Sequence, residues 1–209
     1  FKGAALEIGT EMKSVGEVMA IGRTFPEVIQ KAVRMLDMGV HGVDPGGFVG
    51  TDVKQALERP TPNRIFAIAK ALDDGMTVDE IHALTKIDRW FLHGLHDIAE
   101  MYKALGAREF PYDPALFRRA KELGFSDHFI AAQSKTDVMT VRTARKNAGI
   151  TTAIAKIDTL AAEFPAETNY LYTSYHATEH EIAPSWRKKI LVLGSGTYRI
   201  GSSVEFDWC

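Results

Sequence analysis

Residues 77–106 read TVDEIHALTKIDRWFLHGLHDIAEMYKALG, and their pattern predicts two consecutive helices. The first four residues, TVDE, place a threonine three positions before a glutamate, which is the spacing of a capping box. A second helix is predicted to begin near Asp88, because an aspartate favours the positive end of a helix dipole. Its apolar residues recur at helical spacing up to Gly106, and a glycine commonly ends a helix.

Similar signals lie on both sides of this stretch. A capping-box spacing at Thr24 predicts a helix that ends at Gly39, and residues 39–50 hold five glycines and a proline, which is typical of a loop or linker. Four further helices are predicted to begin at Thr61, Asp113, Ser126 and Thr136. The middle of the chain is therefore predicted to be a helical domain of about six helices.

The flanks of this domain have the composition of strands. Residues 12–22 predict a strand that leads into a loop, and residues 154–157 and 170–175 are rich in β-branched or aromatic residues. Residues 188–194 resemble a charged entry into a buried parallel strand. The predicted fold class is mainly α, with short β segments that belong to neighbouring α/β units.

Composition excludes several classes of function. The net charge of −2 over 209 residues gives no reason to expect nucleic acid or a membrane surface as a partner. No apolar run approaches the roughly 20 residues that span a bilayer, and the single Cys209 fits a reducing compartment inside the cell. Because the chain starts at Phe1 without a signal peptide and stops just after a Gly-rich turn, we expect a piece of a longer polypeptide.

The most conspicuous motif is His176-x-x-Glu179-His180, the H-x-x-E-H signature of one class of zinc peptidases. That chemistry needs a helix that brings both imidazoles to one face, and a third ligand. Here the motif follows an extended aromatic stretch and precedes Pro184, so a helix is not expected. A solvated polar loop is the favoured interpretation, and we predict no metal site.

An alternative function is suggested by residues 124–149, which resemble two helices joined by a tight turn. A helix-turn-helix regulator would use Arg142, Arg145 and Lys146 to contact DNA phosphates. Against this alternative, the chain is net acidic, and three basic residues on one helix usually form a solvated face.

For the remaining candidate residues, a structural role is favoured over ligand binding or catalysis. Asp88 is expected to favour the positive end of its helix dipole, and Trp90 and Phe91 are expected to anchor helix packing rather than bind a ligand. The glycines from Gly194 to Gly201 depart from the dinucleotide-binding spacing, and a structural turn is favoured over a phosphate site. No catalytic, cofactor-binding or metal-binding residues are predicted within the chain.

Four blocks of sequence carry a resemblance to one family. In chain order they are MKSVGEVMAIGRT at 12–24, KIDRWFL at 86–92, IDTLAAEF with TNYLY between 157 and 172, and VLGSG with YRIG and VEFDWC between 192 and 209. They are similar to the large chain of carbamoyl-phosphate synthetase, in the same order and over essentially the whole sequence. The resemblance divides the chain into the tail of the carboxyphosphate half (1–41), a helical oligomerisation domain (42–187) and the first strand and turn of the carbamoyl-phosphate half (188–209).

The resemblance implies a parent ligase rather than an active fragment. Such large chains make carbamoyl phosphate from bicarbonate, ammonia released from glutamine, and two ATP, in two ATP-grasp halves joined by a tunnel. ATP, with Mg or Mn and with K as a further candidate, would bind outside this chain. The implied partners are the rest of the large chain, a glutaminase subunit or domain, and a second copy, in the cytoplasm or, for a urea-cycle form, the mitochondrion.

Three residues acquire a role by this resemblance alone. Ser203 and Glu205 match the turn and the acidic residue that lie along the carbamate tunnel in the family. Glu17 matches the first-half counterpart of a second-half glutamate that holds an allosteric ligand in some members, and a structural role is expected for it here. The chain itself is predicted to connect and to associate, and not to catalyse.

Overall fold

The structure is a computed structural model that describes residues 5–11, 18–157, 170–183 and 185–191. Over these residues the chain forms eight α-helices, one 3₁₀ turn at Pro45–Gly47 and two short strands. The helices are α1 (Phe25–Met35), α2 (Val53–Glu58), α3 (Arg64–Asp73), α4 (Val78–Thr85), α5 (Arg89–Gly106), α6 (Pro114–Glu122), α7 (Asp127–Gln133) and α8 (Val138–Asn147); the strands are β1 (Ala153–Lys156) and β2 (Leu171–Ser174). The mainly helical fold class is confirmed.

Most of the predicted helix starts are confirmed by their hydrogen bonds. Thr77 and Glu80 form a complete capping box, in which each side chain accepts a bond from the other residue's backbone. Asp88, Asp113 and Ser126 accept backbone bonds at the starts of α5, α6 and α7. Local sequence therefore determines where these helices begin.

Three local predictions were wrong or incomplete. Helix α2 was not predicted, although Asp52 caps it by accepting from the Gln55 backbone at 2.9 Å. Helix α3 begins at Arg64, after Asn63, and not at Thr61. The N-cap of α8 is Asp137 and not Thr136, because the Asp137 carboxylate accepts from the backbone N–H of Thr140 at 2.9 Å.

Helix α5 is the centre of the helical core. It packs against α1, α3, α4 and α7. Leu92, Leu95, Ile98 and Leu105, spaced along one face of the helix, are buried. No helix among the described residues combines the length and the apolar character needed to cross a membrane.

The two strands pair with each other in antiparallel register, Ala153 opposite Ser174 and Lys156 opposite Leu171, which confirms the extended character predicted for both segments. The predicted flanking strands differ. Residues 18–22 and 188–191 form no strand; Ile190 is 93% exposed. The remaining parts of those two predictions, 12–17 and 192–194, lie outside the described residues.

Gly124 determines how closely α1 approaches the end of α6. Its φ of +88° lies in the left-handed region that favours glycine. A Cβ atom there would lie 2.8 Å from the Cβ of Gln30 and 3.1 Å from the Cα of Glu27. Because glycine occupies this turn, the first turns of α1 can lie against it.

A candidate junction and association surface

Glu27, in the first turn of α1, binds the antiparallel pair of β1 and β2, which we call the hairpin. Its partner there is Ser174, 147 residues away in sequence. Its Oε2 accepts a hydrogen bond from the hydroxyl of Ser174 at 3.1 Å and one from the backbone N–H of Arg23 at 2.9 Å. Both side chains are almost fully buried, Glu27 at 2% and Ser174 at 1% exposure. A buried carboxylate is costly unless it is bonded in this way, so the pairing fixes the position of β2 on α1.

Lys31, one turn further along α1, completes the charge balance of this contact. Its ammonium donates to Oε1 of Glu27 at 2.8 Å and to the backbone carbonyls of Thr173 at 2.9 Å and Ile21 at 2.8 Å. Three donors therefore meet three acceptors from α1, β2 and the segment that precedes α1. This lysine links the chain that enters α1 to the hairpin.

His176 joins three elements at the end of the hairpin. Its Nε2 lies 2.9 Å from the carbonyl oxygen of Glu122, at the end of α6, and 3.3 Å from the hydroxyl of Thr24, the N-cap of α1. A carbonyl oxygen accepts and cannot donate, so Nε2 carries the proton. The backbone N–H of His176 donates to the Ser174 hydroxyl at 3.1 Å, which couples this bond to the Glu27 contact.

Glu181 provides the outermost link. It forms an ion pair with Arg23, and its second carboxylate oxygen accepts from the backbone N–H of Lys156 in β1 at 2.8 Å. Both partners of the ion pair are more than a third exposed, so this ion pair stabilises the contact less than the buried hydrogen bonds do. We name the set Arg23, Thr24, Glu27, Lys31, Ser174, His176 and Glu181 the junction.

Behind the junction, a buried ion cluster fastens α6, α7 and α8 together. Asp127 accepts from the ammonium of Lys121 at 2.7 Å and from the guanidinium of Arg145 through Nε and Nη2 at 3.0–3.1 Å. Burial lowers the pKa of Lys121 to about 8, although Asp127 opposes that shift. The two cations lower the pKa of Asp127 below its ordinary value, although burial alone would raise it.

This cluster removes the basis of the DNA-binding alternative. Arg145 is 7% exposed, and its Nη1 donates to the carbonyl of Ile150 at 2.8 Å while its other nitrogens bind Asp127. A guanidinium that is buried and satisfied in this way cannot reach a DNA phosphate. The favoured interpretation of a solvated basic face holds for Arg142 and Lys146, which are exposed, but it is wrong for Arg145. Residues 124–149 form part of the helical core, and the disfavoured DNA-binding alternative gains no support.

The zinc signature is also accounted for by structural bonds. The residues from His176 to His180 form bends rather than a helix, as predicted. His180 accepts from the backbone N–H of Ile154 through Nδ1 at 3.0 Å, whereas His176 serves the junction. His176 is partly buried, so the predicted solvated loop is correct for His180 and Glu179 but wrong for His176. Across the described ranges, no three His, Cys, Asp or Glu side chains converge as a metal site.

A second surface is formed by three aromatic rings at the start of α5. Phe25 of α1 lies 5.7 Å from Trp90 and 5.2 Å from Phe91, and the latter two rings are 5.0 Å apart, measured between centroids. Phe25 reaches α5 because Gly94 has no side chain; a Cβ there would lie 2.6 Å from the Phe25 ring. We name these three residues the aromatic surface.

The aromatic surface is open to solvent. Trp90 is 64% exposed and Phe91 is 44% exposed. Beside it lies an open cavity of about 400 Å³ lined by Ile8, Phe25, Phe91 and Leu95, among others. Asp88 caps the helix that carries the two rings, through a 2.8 Å bond from the Trp90 backbone. A structural role for Trp90 and Phe91 stays a prediction, since both contact Phe25 but remain largely exposed.

The other residues predicted to have a role lie elsewhere. Glu17, Ser203 and Glu205 fall outside the described residues. Of the residues that build the junction, sequence singled out only His176, as part of the zinc signature, and Thr24 with Glu27, as a capping-box spacing. The signal that was present is local: the Thr24 cap and the capping-box glutamate placed Glu27 in the first turn of α1.

Comparison with known families identifies the segment that contains these surfaces. A family model described as carbamoyl-phosphate synthetase large chain, oligomerisation domain, matches residues 17–149. The chain belongs to this family. A second model, the carbamoyl phosphate synthase preATP-grasp domain, matches residues 186–209. The carbamoyl-phosphate synthetase resemblance inferred from four sequence blocks is thereby confirmed.

Relatives of this carbamoyl-phosphate synthetase segment come from both arginine-specific and multifunctional proteins. It is 50% identical over 206 residues to the mitochondrial arginine-specific large chain of Schizosaccharomyces pombe, covering 97% of this chain and 18% of that protein. It is 48% identical to the multifunctional protein pyr-3 of Neurospora crassa and 47% identical to the mitochondrial carbamoyl-phosphate synthase [ammonia] of Mus musculus, in each case over the whole chain. These matches cover 12% and 14% of those two proteins, so the chain spans less than a fifth of the length of each of these relatives.

Proposed function

We propose that this chain is the connecting and oligomerisation segment of the large subunit of a carbamoyl-phosphate synthetase, and that it catalyses no step itself. The parent enzyme would make carbamoyl phosphate from bicarbonate, ammonia derived from glutamine, and two ATP. The observation that carries the proposal is the junction, in which Glu27 of α1 binds Ser174 of the hairpin across 147 residues.

The position of the junction explains why it would matter for a connecting segment. Arg23, Thr24 and Glu27 lie near the start of the family match at residues 17–149, and Ser174 to Glu181 lie just before the second match at residues 186–209. Bonds between these two regions hold the chain that enters the helical domain beside the chain that leaves it. Such a domain would keep two ATP-dependent halves at a fixed separation and in line with one tunnel.

The division into 1–41, 42–187 and 188–209 belongs to this proposal. In it, Glu17 supports the end of the first half, and Ser203 with Glu205 lines the tunnel at the start of the second. ATP and Mg or Mn, and K if it is used, would bind in the missing halves, where the glutaminase subunit or domain would also dock.

Self-association is the second part of the proposed role. The aromatic surface is apolar, lies on rigid helices and exposes a tryptophan, which is the residue type most enriched at interface hot spots. The family description names oligomerisation, and we propose that a second copy of the chain covers Trp90 and Phe91. Two of the relatives are named as mitochondrial, and we propose the mitochondrion or the cytoplasm as the compartment of this chain.

The test of the junction uses the full-length enzyme that contains this chain. Glu27→Gln and Ser174→Ala each remove one side of the buried bond. We expect each half to retain its partial reaction with ATP, while overall synthesis of carbamoyl phosphate falls by about tenfold or more, because a displacement of about 1 Å can cost about 100-fold in rate. ATP consumed per carbamoyl phosphate should rise accordingly.

The matched control is Glu100→Gln, which neutralises an exposed glutamate paired with Lys103 on α5, away from the junction. It should leave both the partial reactions and the overall yield unchanged. Overall synthesis that stays coupled to ATP use in the Glu27→Gln enzyme would refute the proposed role of the junction. Appreciable bicarbonate-dependent ATP hydrolysis by the 209-residue chain alone would refute the claim that it is not catalytic.

A further inference from the structure

An open cavity of about 490 Å³ lies between α1, the turn after α6, α7, α8 and the hairpin. Its volume falls within the range of small-molecule sites. The charged side chains that line it are five cations and two carboxylates: Lys31, Arg34, Lys121, Arg142 and Arg145, against Glu27 and Asp127. The lining therefore carries an excess of positive charge, in a chain whose net charge is −2.

The two carboxylates are already committed to three of the cations. Glu27 pairs with Lys31, and Asp127 pairs with both Lys121 and Arg145. Arg34 and Arg142 form no salt bridge with any described residue, although Glu27 lies close enough to Arg34 to act on its pKa. The uncompensated charge of the cavity is therefore that of two guanidinium groups.

Arg34 is held so that much of its binding capacity remains. Its Nη1 donates to the carbonyl of Gly124 at 2.6 Å, which fixes the guanidinium at the cavity wall. A guanidinium has five N–H donors, and this bond uses one of them. Burial lowers the pKa of Arg34 below its ordinary value, because the guanidinium loses part of its solvation there.

The apolar part of the lining strengthens the field of these cations. Phe125, Val138 and Met139 line the cavity. The centroid of the Tyr175 ring lies 5.1 Å from the ammonium of Lys121 and 5.6 Å from the guanidinium of Arg145. Charges beside low-dielectric walls are screened less than charges in water. An anion in this cavity would therefore meet an attraction stronger than that of exposed basic residues.

We propose that this cavity binds a doubly charged oxyanion of the phosphate class, held by the guanidinium groups of Arg34 and Arg142. Guanidinium donors match the planar pairs of oxygen atoms that such an anion presents. The ligand is either free phosphate or the phosphate group of a larger metabolite. Bound there, it joins α1 and α8 beside the junction and stabilises the folded chain by mass action.

The test is isothermal titration calorimetry of the 209-residue chain with sodium phosphate, sulfate or acetate at constant ionic strength. We expect phosphate and sulfate to bind with a dissociation constant of about 1 mM or tighter, and acetate to bind at least about tenfold more weakly. Ribose 5-phosphate distinguishes the two sources: tighter binding than phosphate assigns the site to a phosphorylated metabolite, and binding equal to or weaker than that of phosphate assigns it to free phosphate.

The variant Arg142→Gln removes one guanidinium without disturbing the core, because Arg142 is exposed. Phosphate affinity should fall by about tenfold or more, as expected for loss of a hydrogen bond to a charged group. The matched control is Lys146→Gln, one turn further along α8, exposed and outside the cavity lining; it should change affinity less than about twofold.

A second readout locates the ligand at this cavity rather than elsewhere. Lys121 faces Asp127, Arg145, Arg34 and Tyr175, and its pKa of about 8 should rise when an anion enters. Phosphate binding near pH 8 should therefore take up protons, which is measured by titration in buffers of different ionisation enthalpy. Absence of phosphate binding, equal binding of acetate, equal losses in both variants or no proton uptake would each overturn the proposal.

Discussion

The ammonium of Lys121 donates to the carboxylate of Asp127 at 2.7 Å in a site where the lysine side chain is 4% exposed. Arg145 approaches the same carboxylate from α8, so one acid holds two buried cations and three helices. The arrangement makes Asp127 the residue on which this part of the core depends. Removing the only counter-charge of a buried ion lowers the stability of a protein more than removing one partner of an exposed ion pair.

The substitution Asp127→Asn should therefore destabilise the chain by about 3 kcal/mol or more, because Lys121 and Arg145 would remain buried without a counter-charge. Denaturant unfolding followed by circular dichroism measures this directly. Asp97→Asn is the control: Asp97 lies 4.0 Å from Arg119 in a pair that is about half exposed, and its loss should cost less than about 0.5 kcal/mol. Equal effects of the two substitutions would contradict a special role for Asp127.

The lowered pKa of Lys121 predicts a pH dependence with a definite sign. Its folded pKa is about 8, below its ordinary value of 10.5. Between these values the unfolded chain binds more protons at this residue than the folded chain, so its contribution to the free energy of unfolding rises with pH. Below pH 8 both states are protonated, and the contribution is constant.

The variant Lys121→Met isolates this contribution from other titrating groups. As the pH rises from 8 to 10, the free energy of unfolding of the wild type should increase relative to that of the variant by an amount on the order of 2 kcal/mol. Tyr175 is present in both proteins, and burial raises its pKa above its ordinary value. Parallel pH profiles for the two proteins would show that Lys121 is not desolvated as described.

Helix capping provides a prediction that compares two threonines. Thr77 accepts the backbone bond of Glu80 at the start of α4, whereas Thr136 precedes the true N-cap of α8. Thr77→Ala should cost about 1 kcal/mol, and Thr136→Ala should cost a few tenths at most. Thermal unfolding of the two variants is sufficient to compare them, and a larger loss for Thr136→Ala would reverse the assignment of the cap.

These examples show which parts of the fold are determined by the local sequence. The starts of four helices could be predicted, because an N-cap side chain interacts with backbone groups only two or three residues away. These N-caps are Thr77, Asp88, Asp113 and Ser126. Helix α2 was missed because it has six residues, and its stability comes from tertiary packing of Leu57, which is fully buried.

The junction was not predictable for the same physical reason. The bond between Glu27 and Ser174 joins residues 147 positions apart, and no periodic pattern in the sequence encodes such a contact. Helical spacing alone also left open which face of α5 is buried. Leu92 lies inside and Trp90 outside, with Phe25 packed over Gly94 between α1 and α5.

The aromatic surface leads to the last prediction, which concerns self-association. Trp90→Ser should leave the stability of the fold almost unchanged, because the side chain is 64% exposed. If a second copy covers this surface, the same substitution should weaken the dimerisation constant by about 30-fold, the effect of losing a hot-spot residue worth about 2 kcal/mol. Sedimentation velocity over a range of concentrations measures the constant.

The control is Trp186→Ser, because Trp186 is another tryptophan, is 100% exposed and lies outside the aromatic surface. Loss of any exposed indole would reduce non-specific association equally, so equal effects of the two substitutions would argue against a defined interface. A chain that remains monomeric at high concentration would instead place the partner of Trp90 in the ATP-dependent halves of the proposed parent enzyme. A selective effect of Trp90→Ser identifies the start of α5 as the face through which two copies meet.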